Sequence, residues 1–405
     1  MSPSRSTPSR SSRLRAAAAA STIALVSAAC GGTGGDDAAA ADVGRQLAGP
    51  RLVVTTDEGI LVLERESLET VATLPSEGFV RVNAAGDERH AFVSTSDGFQ
   101  LLDTGVEVEA HGDHSHYAVA GEPALGATYE APEPGHVTVH DGRTLLFSDG
   151  AGTVQELASD DPATLVDTVE LPDPHHGVAV ALGEDLLHTE GTADARSSVV
   201  LRDAGGEEVA RTDDCPGVHG EATAADGVAV VGCEDGVVVV RDGEMVKIDS
   251  PDDYGRIGNQ AGSEASRVVL GDYKTDADAE LERPGRIALI DTEDDTLRLV
   301  DLGTSYSFRS LGRGAAGEAL VLGTDGALHV VDAESGDRLD TIDVVEPWRE
   351  PLDWQQPRPT LHVSGDTAWV SDPRTSTLHE VDVAGGVVRD SVRLPGVPNE
   401  VVAVG

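Results

Sequence analysis

The sequence predicts an all-β chain folded as a single β-propeller of eight blades, or of seven if one weak unit is only an insertion. Three observations carry this prediction. Beyond residue 50 there is no helical periodicity; short Val- and Leu-rich runs alternate with Asp-Gly, Gly-Gly and Ser-Gly turns, the pattern of antiparallel strands joined by hairpins. The run 227–232 (GVAVVG), the turn 234–236 (EDG) and the run 237–241 (VVVVR) illustrate it, and 319–331 repeats it. These units recur at roughly 40-residue spacing, the period of four-stranded blades. Finally, the two ends are complementary: 398–405 (PNEVVAVG) is a first strand with nothing after it, and 51–74 is a unit lacking its first strand. Joining them closes the ring and removes an exposed sheet edge.

Residues 1–29 read as a signal peptide. Arg5, Arg10, Arg13 and Arg15 form a positive region, a weakly apolar Ala-rich stretch follows, and Ser27-Ala28-Ala29-Cys30 reads as a cleavage site. The stretch is too short and too Ala-rich to span a bilayer stably. Small residues before Cys30 and the glycines after it suggest a lipoprotein. Cys30 would then be acylated on the outer face of the cytoplasmic membrane, with residues 30–49 as a flexible tether. Ser27 stands where such signals usually carry Leu, so a secreted or periplasmic protein is the alternative. Residues 50–405 form the propeller domain, with inner strands beginning near Gly78, Gly135, His175, Val218, Ile257, Phe308 and Pro359.

Longer connections interrupt the blades at 108–134, 273–284 and 345–359, and loops of that length usually carry function or are disordered. The second, with Asp276, Asp278, Glu280 and Glu282, lacks the ligand spacing of a calcium loop and reads as a solvated excursion. The third holds Trp348 and Trp354, which either cover a channel mouth or pack on a sheet edge. The net charge of −43 and the absence of a Lys/Arg cluster in the mature chain exclude nucleic acid as a partner. An acidic surface keeps such a chain soluble and raises the local concentration of cations; a monomer is expected. With Cys30 in the leader, Cys215 and Cys233 remain as a pair. In an exported protein they are expected to form a disulfide worth about 3 kcal/mol of chain entropy; zinc ligation by both is the alternative.

The stretch 111–116 (HGDHSH) concentrates His111, Asp113, His114 and His116, the imidazole and carboxylate donors that zinc takes. The alternative is a solvated loop that coordinates nothing. Four more histidines align between blades: His136, the pair His175 and His176, His219, and more weakly His362. First strands line a propeller's central channel, so His136, His176 and His219 of three consecutive blades can meet around one ion. His175 is the alternative to His176, or supports it from behind. His90, His188, His329 and His379 read as ordinary sheet-face residues, and His140 is ambiguous. The cluster leads into His136 within about twenty residues, so a mobile loop sweeping over the channel mouth is expected to deliver or remove the ion.

These motifs, with 134–142 (PGHVTVHDG), 175–180 (HHGVAV), 215–221 (CPGVHGE) with Cys233, and 357–362 (PRPTLH), resemble the extracytoplasmic zinc metallochaperones of the AztD type. The resemblance implies a propeller with two zinc sites that passes zinc to the solute-binding protein of a zinc ABC transporter, and no enzymatic activity. Two other readings stand beside it. Propellers also host lactonases and dehydrogenases; a metal-dependent hydrolase would need an open metal position and a base, for which Glu221 is the candidate. A plain interaction platform would bind no metal.

Overall fold

Eight four-stranded antiparallel sheets form in the computed structural model, which describes residues 46–112 and 114–405. The signal segment, Cys30, most of the tether and Asp113 lie outside the described residues. Blade 1 is made by both ends of the chain: Pro398–Val404 is its inner strand, followed by Arg51–Thr56, Gly59–Glu64 and Thr70–Leu74. Val53 pairs with Val402 and Val62, so the closure expected from the complementary ends is present. The inner strands of blades 2 to 8 are Arg81–Ala84, Pro134–His140, Ala179–Leu182, His219–Ala224, Gln260–Ala261, Tyr306–Arg313 and Leu361–Ser364.

Packing explains the uniform Val-rich strands. Middle strands such as Gly236–Arg241 are buried almost throughout, because each sheet is sandwiched between two neighbours. Val178, Val180 and Val199 of blade 4 share one apolar cluster with Val218, Val231 and Val238 of blade 5. Outermost strands such as Val387–Arg393 alternate toward solvent. Cys215 and Cys233 are joined in a disulfide, which ties the lead-in of the blade 5 inner strand to the second strand. No helix among the described residues is long and apolar enough to cross a membrane.

Two connections differ from their expected form. The stretch 108–134 is not one long loop: it holds most of a β-hairpin, Val106–His111 against His114–Val119, inserted between the third and fourth strands of blade 2, and that fourth strand itself, Ala124–Glu130. The segment at 345–359 divides its tryptophans: Trp348 donates its indole N–H to the Gly323 carbonyl, while half-exposed Trp354 packs edge-on against Phe79 with ring centroids 5.0 Å apart. Residues 273–284 are the expected solvated excursion, with Glu282 accepting from the Thr275 and Asp276 amides.

Candidate metal sites

Each inner strand begins at the upper face of the ring and ends at the lower. The blade 3 strand starts Pro134-Gly135-His136, and its pairing with Arg143–Ser148 is interrupted between Pro134 and Val137, which takes His136 out of the ladder. A Cβ on Gly135 would stand 2.2 Å from Asp149 Oδ1, so glycine leaves that carboxylate room to approach the strand. The blade 5 strand is interrupted in the same way between His219 and Glu221, around Gly220 at φ +73°, a left-handed conformation that suits glycine. His176 sits on the lead-in to the blade 4 strand, where Val178 and Thr189 bond through both backbone and side chain.

The three histidines converge at the upper mouth of the channel. Their rings lie 5.4 Å (His136 to His176), 5.7 Å (His136 to His219) and 4.8 Å (His176 to His219) apart. One ring nitrogen from each falls within 4.8 Å of the others, a spacing an ion can gather. All three Nδ1 atoms are already engaged. His176 Nδ1 lies 2.5 Å from Asp149 Oδ2, and His219 Nδ1 lies 2.6 Å from the Gly258 carbonyl. His136 Nδ1 lies between the Glu221 oxygens, 3.0 Å from Oε2 and 3.3 Å from Oε1. An acceptor on Nδ1 fixes the tautomer with the proton on Nδ1 and leaves the Nε2 lone pair for a metal.

Electrostatics sharpen the division of labour. Burial pulls the His136 pKa down, but the charge and hydrogen bond of Glu221 outweigh it and raise the net value. Burial, then the charges of His136, His176 and Arg256, hold His219 well below the ordinary imidazole range, so it stays neutral and able to ligate. Asp149 Oδ1 is buried without a hydrogen bond, and Glu221 Oε2, also buried, has only the His136 Nδ1 contact at 3.0 Å. Buried carboxylate oxygens left so are costly unless a cation compensates them, so these residues fit a divalent metal with three nitrogen donors.

Of the other candidates, His175 is buried, with Nδ1 2.9 Å from the Asp173 carbonyl and Nε2 3.1 Å from Thr189 Oγ1, and is outside the convergent group. His362 stacks on Trp369 and is also outside it. His140 binds the Ala181 carbonyl at the far end of its strand. Asp149 and Gly258 were not legible as site residues. Asp149 precedes Gly150 in what reads as one more Asp-Gly turn, and a backbone carbonyl leaves no sequence signal.

His111, His114 and His116 form a second group at the hairpin tip, with ring centroids 4.8 to 5.6 Å apart and all three exposed. His111 pairs across the turn with His114, which puts both beside His116 on one short ribbon. This tip is not at the channel mouth, contrary to the expected sweeping loop. The hairpin leaves the end of a third strand, which runs parallel to the inner strand and therefore finishes at the lower face. Two contacts agree: Tyr117 donates to Glu88 in the turn below the blade 2 inner strand, and Gly405, at the end of the blade 1 inner strand, abuts the Tyr117 ring. Four residue steps of inner strand separate His136 from the lower end at His140, so at about 3.3 Å per residue the two groups are about 13 Å or more apart.

No family model matches the chain. The zinc chaperone AztD of Citrobacter koseri is 26% identical over 318 residues, which cover 75% of this chain and 73% of that protein. The solved structure of apo AztD from Citrobacter koseri superposes with a TM-score of 0.73 at 22% identity, covering 89% of this chain and 98% of the other. A second crystal structure of Citrobacter koseri AztD gives 0.73 at 23% identity, covering 88% and 97%. The dihydro-heme d1 dehydrogenase NirN in complex with DHE shares the fold alone, at a TM-score of 0.56 and 15% identity over 88% of this chain and 75% of that one. In sequence and in fold alike, the resemblance to AztD-type proteins drawn from the histidine motifs is borne out.

Proposed function

We propose that this chain is an exported zinc chaperone, anchored through Cys30, that holds zinc on His136, His176 and His219 and passes it to the solute-binding protein of a zinc ABC transporter. The observation that carries the reading is the state of the three imidazoles: each Nδ1 is held by an acceptor, which leaves Nε2 free to ligate, and one ring nitrogen of each lies within 4.8 Å of the others. Three nitrogen donors at about 2.0–2.1 Å leave the fourth tetrahedral position open to the channel mouth, where a ligand from an acceptor protein can enter before the histidines let go. Stepwise exchange of this kind avoids a free ion. The Cys215–Cys233 disulfide suits an oxidising compartment, and the curated relative is itself a zinc chaperone. Against a hydrolase, Glu221 is committed to His136 Nδ1, behind the ligand edge, and is not placed as a base.

The hairpin histidines His111, His114 and His116 form a second zinc site on the lower face. At about 13 Å or more they cannot pass an ion directly to the channel trio, so each site meets its acceptor separately. Elemental analysis of protein purified without chelator tests the proposal: two zinc ions per chain are expected, one remaining when His136, His176 and His219 are replaced by Ala. Protein that carries no zinc after supplementation removes the chaperone reading. Zinc transfer to the acceptor, followed by stopped flow with a chelator as trap, tests the hand-off.

A further inference from the structure

Resting on the reading that the channel trio holds zinc, we infer that Asp149 and Glu221 make that site selective for a divalent over a monovalent ion, by charge rather than by ligation. Neither carboxylate belongs to the convergent group; only the three histidine nitrogens do. Both stand behind their histidines, with Asp149 on His176 and Glu221 on His136. Their side chains are only 15% exposed, and Asp149 keeps one buried oxygen without a hydrogen bond.

The charge count follows. Three neutral imidazoles contribute nothing and the two carboxylates contribute two negative charges. A divalent ion therefore balances the two carboxylates, whereas a monovalent soft ion such as Cu(I), which imidazole also binds, leaves one of them uncompensated. In a half-buried, low-dielectric setting that difference is felt strongly. Arg81 acts on His136, Arg256 on His219 and Arg196 on Asp149 in the opposite sense; these positive charges oppose a dication more than a monocation, but they are the same in every variant below. Two functions are thereby separated. An acceptor on Nδ1 orients the ring for any metal, and an amide oxygen serves for that; only the negative charge tells a dication from a monocation.

The test uses the chain with His111, His114 and His116 replaced by Ala, so that only the trio reports. Asp149→Asn, Glu221→Gln and the double variant keep an oxygen acceptor on each Nδ1 and remove the charge. Zn(II) and Cu(I) affinities are measured by chelator competition at pH 8, the latter anaerobically, with circular dichroism as the control for folding. Each single variant is expected to lose about 10- to 100-fold in zinc affinity. Cu(I), with half the charge, loses roughly the square root of that factor, so the double variant shifts the Zn(II)/Cu(I) preference at least about tenfold toward Cu(I). Equal losses for both ions would reduce the carboxylates to orientation and overturn the inference, as would unchanged zinc affinity. A parent protein that binds neither ion at the trio would instead defeat the proposed function itself.

Discussion

The two histidine groups use the same donor and opposite surroundings. The channel trio is drawn from three blades, half-buried, with every Nδ1 held by a carboxylate or carbonyl from another strand or turn. The hairpin group comes from one ribbon of two six-residue strands, is exposed at all three histidines, and brings two of its own rings together, His114 Nε2 being 3.2 Å from His116 Nε2. The difference is one of preorganisation. A site whose rings are already oriented loses little entropy on binding and holds its ion; a site on an exposed ribbon must order itself around the ion and gives it up readily.

The largest expected effect tests the trio. His136→Ala, His176→Ala and His219→Ala together should abolish one zinc equivalent while far-ultraviolet circular dichroism is unchanged, since blade stability comes from the apolar clusters between sheets. A triple variant that unfolds would make these residues structural and erase the contrast.

Next is the disulfide, which serves the trio alone. Cys215 lies four residues before His219, and its bond to Cys233 fixes that lead-in. Replacing both cysteines by Ser should lower stability by about 3 kcal/mol and weaken zinc binding at the trio, with no change at the hairpin. Urea unfolding and zinc titration together read both effects.

Acid should act through the blade that carries His176. His188, fully buried opposite Ala179, has its pKa pulled down to about 4, chiefly by burial. The unfolded chain takes up this proton near pH 6.5 and the folded chain only near 4. Stability therefore falls as the pH drops through that window, by about 3 kcal/mol from this residue. Chemical denaturation at pH 7, 5 and 4 should show the loss, and His188→Phe should flatten it; a wild-type profile flat to pH 4 would contradict the burial argument.

The smallest effect concerns independence. Replacing His111, His114 and His116 by Ala should remove the second zinc equivalent and change trio affinity by no more than about twofold, because sites this far apart without shared partners behave additively. A tenfold change would mean that the hairpin reaches the channel after all.

Much of this was legible in the residues. Turn spacing and complementary ends gave the blade count and the closure of the ring, and aligning blades brought His136, His176 and His219 together. Two things were not. The supporting shell depends on contacts across blades, such as Glu221 of blade 5 reaching His136 of blade 3, which no local pattern encodes. The lower-face position of the cluster depends on strand direction. With 108–134 read as one long connection, nothing indicated that the cluster leaves the end of a third strand rather than the start of an inner one. Proximity in sequence to His136 pointed to the wrong face.

The most direct test of the central claim is zinc K-edge X-ray absorption on the protein lacking His111, His114 and His116 and loaded with one zinc per chain. The account predicts three imidazole nitrogens at about 2.0–2.1 Å with one lighter, exchangeable ligand. A shell dominated by carboxylate oxygens, or one with fewer than three imidazoles, would contradict it.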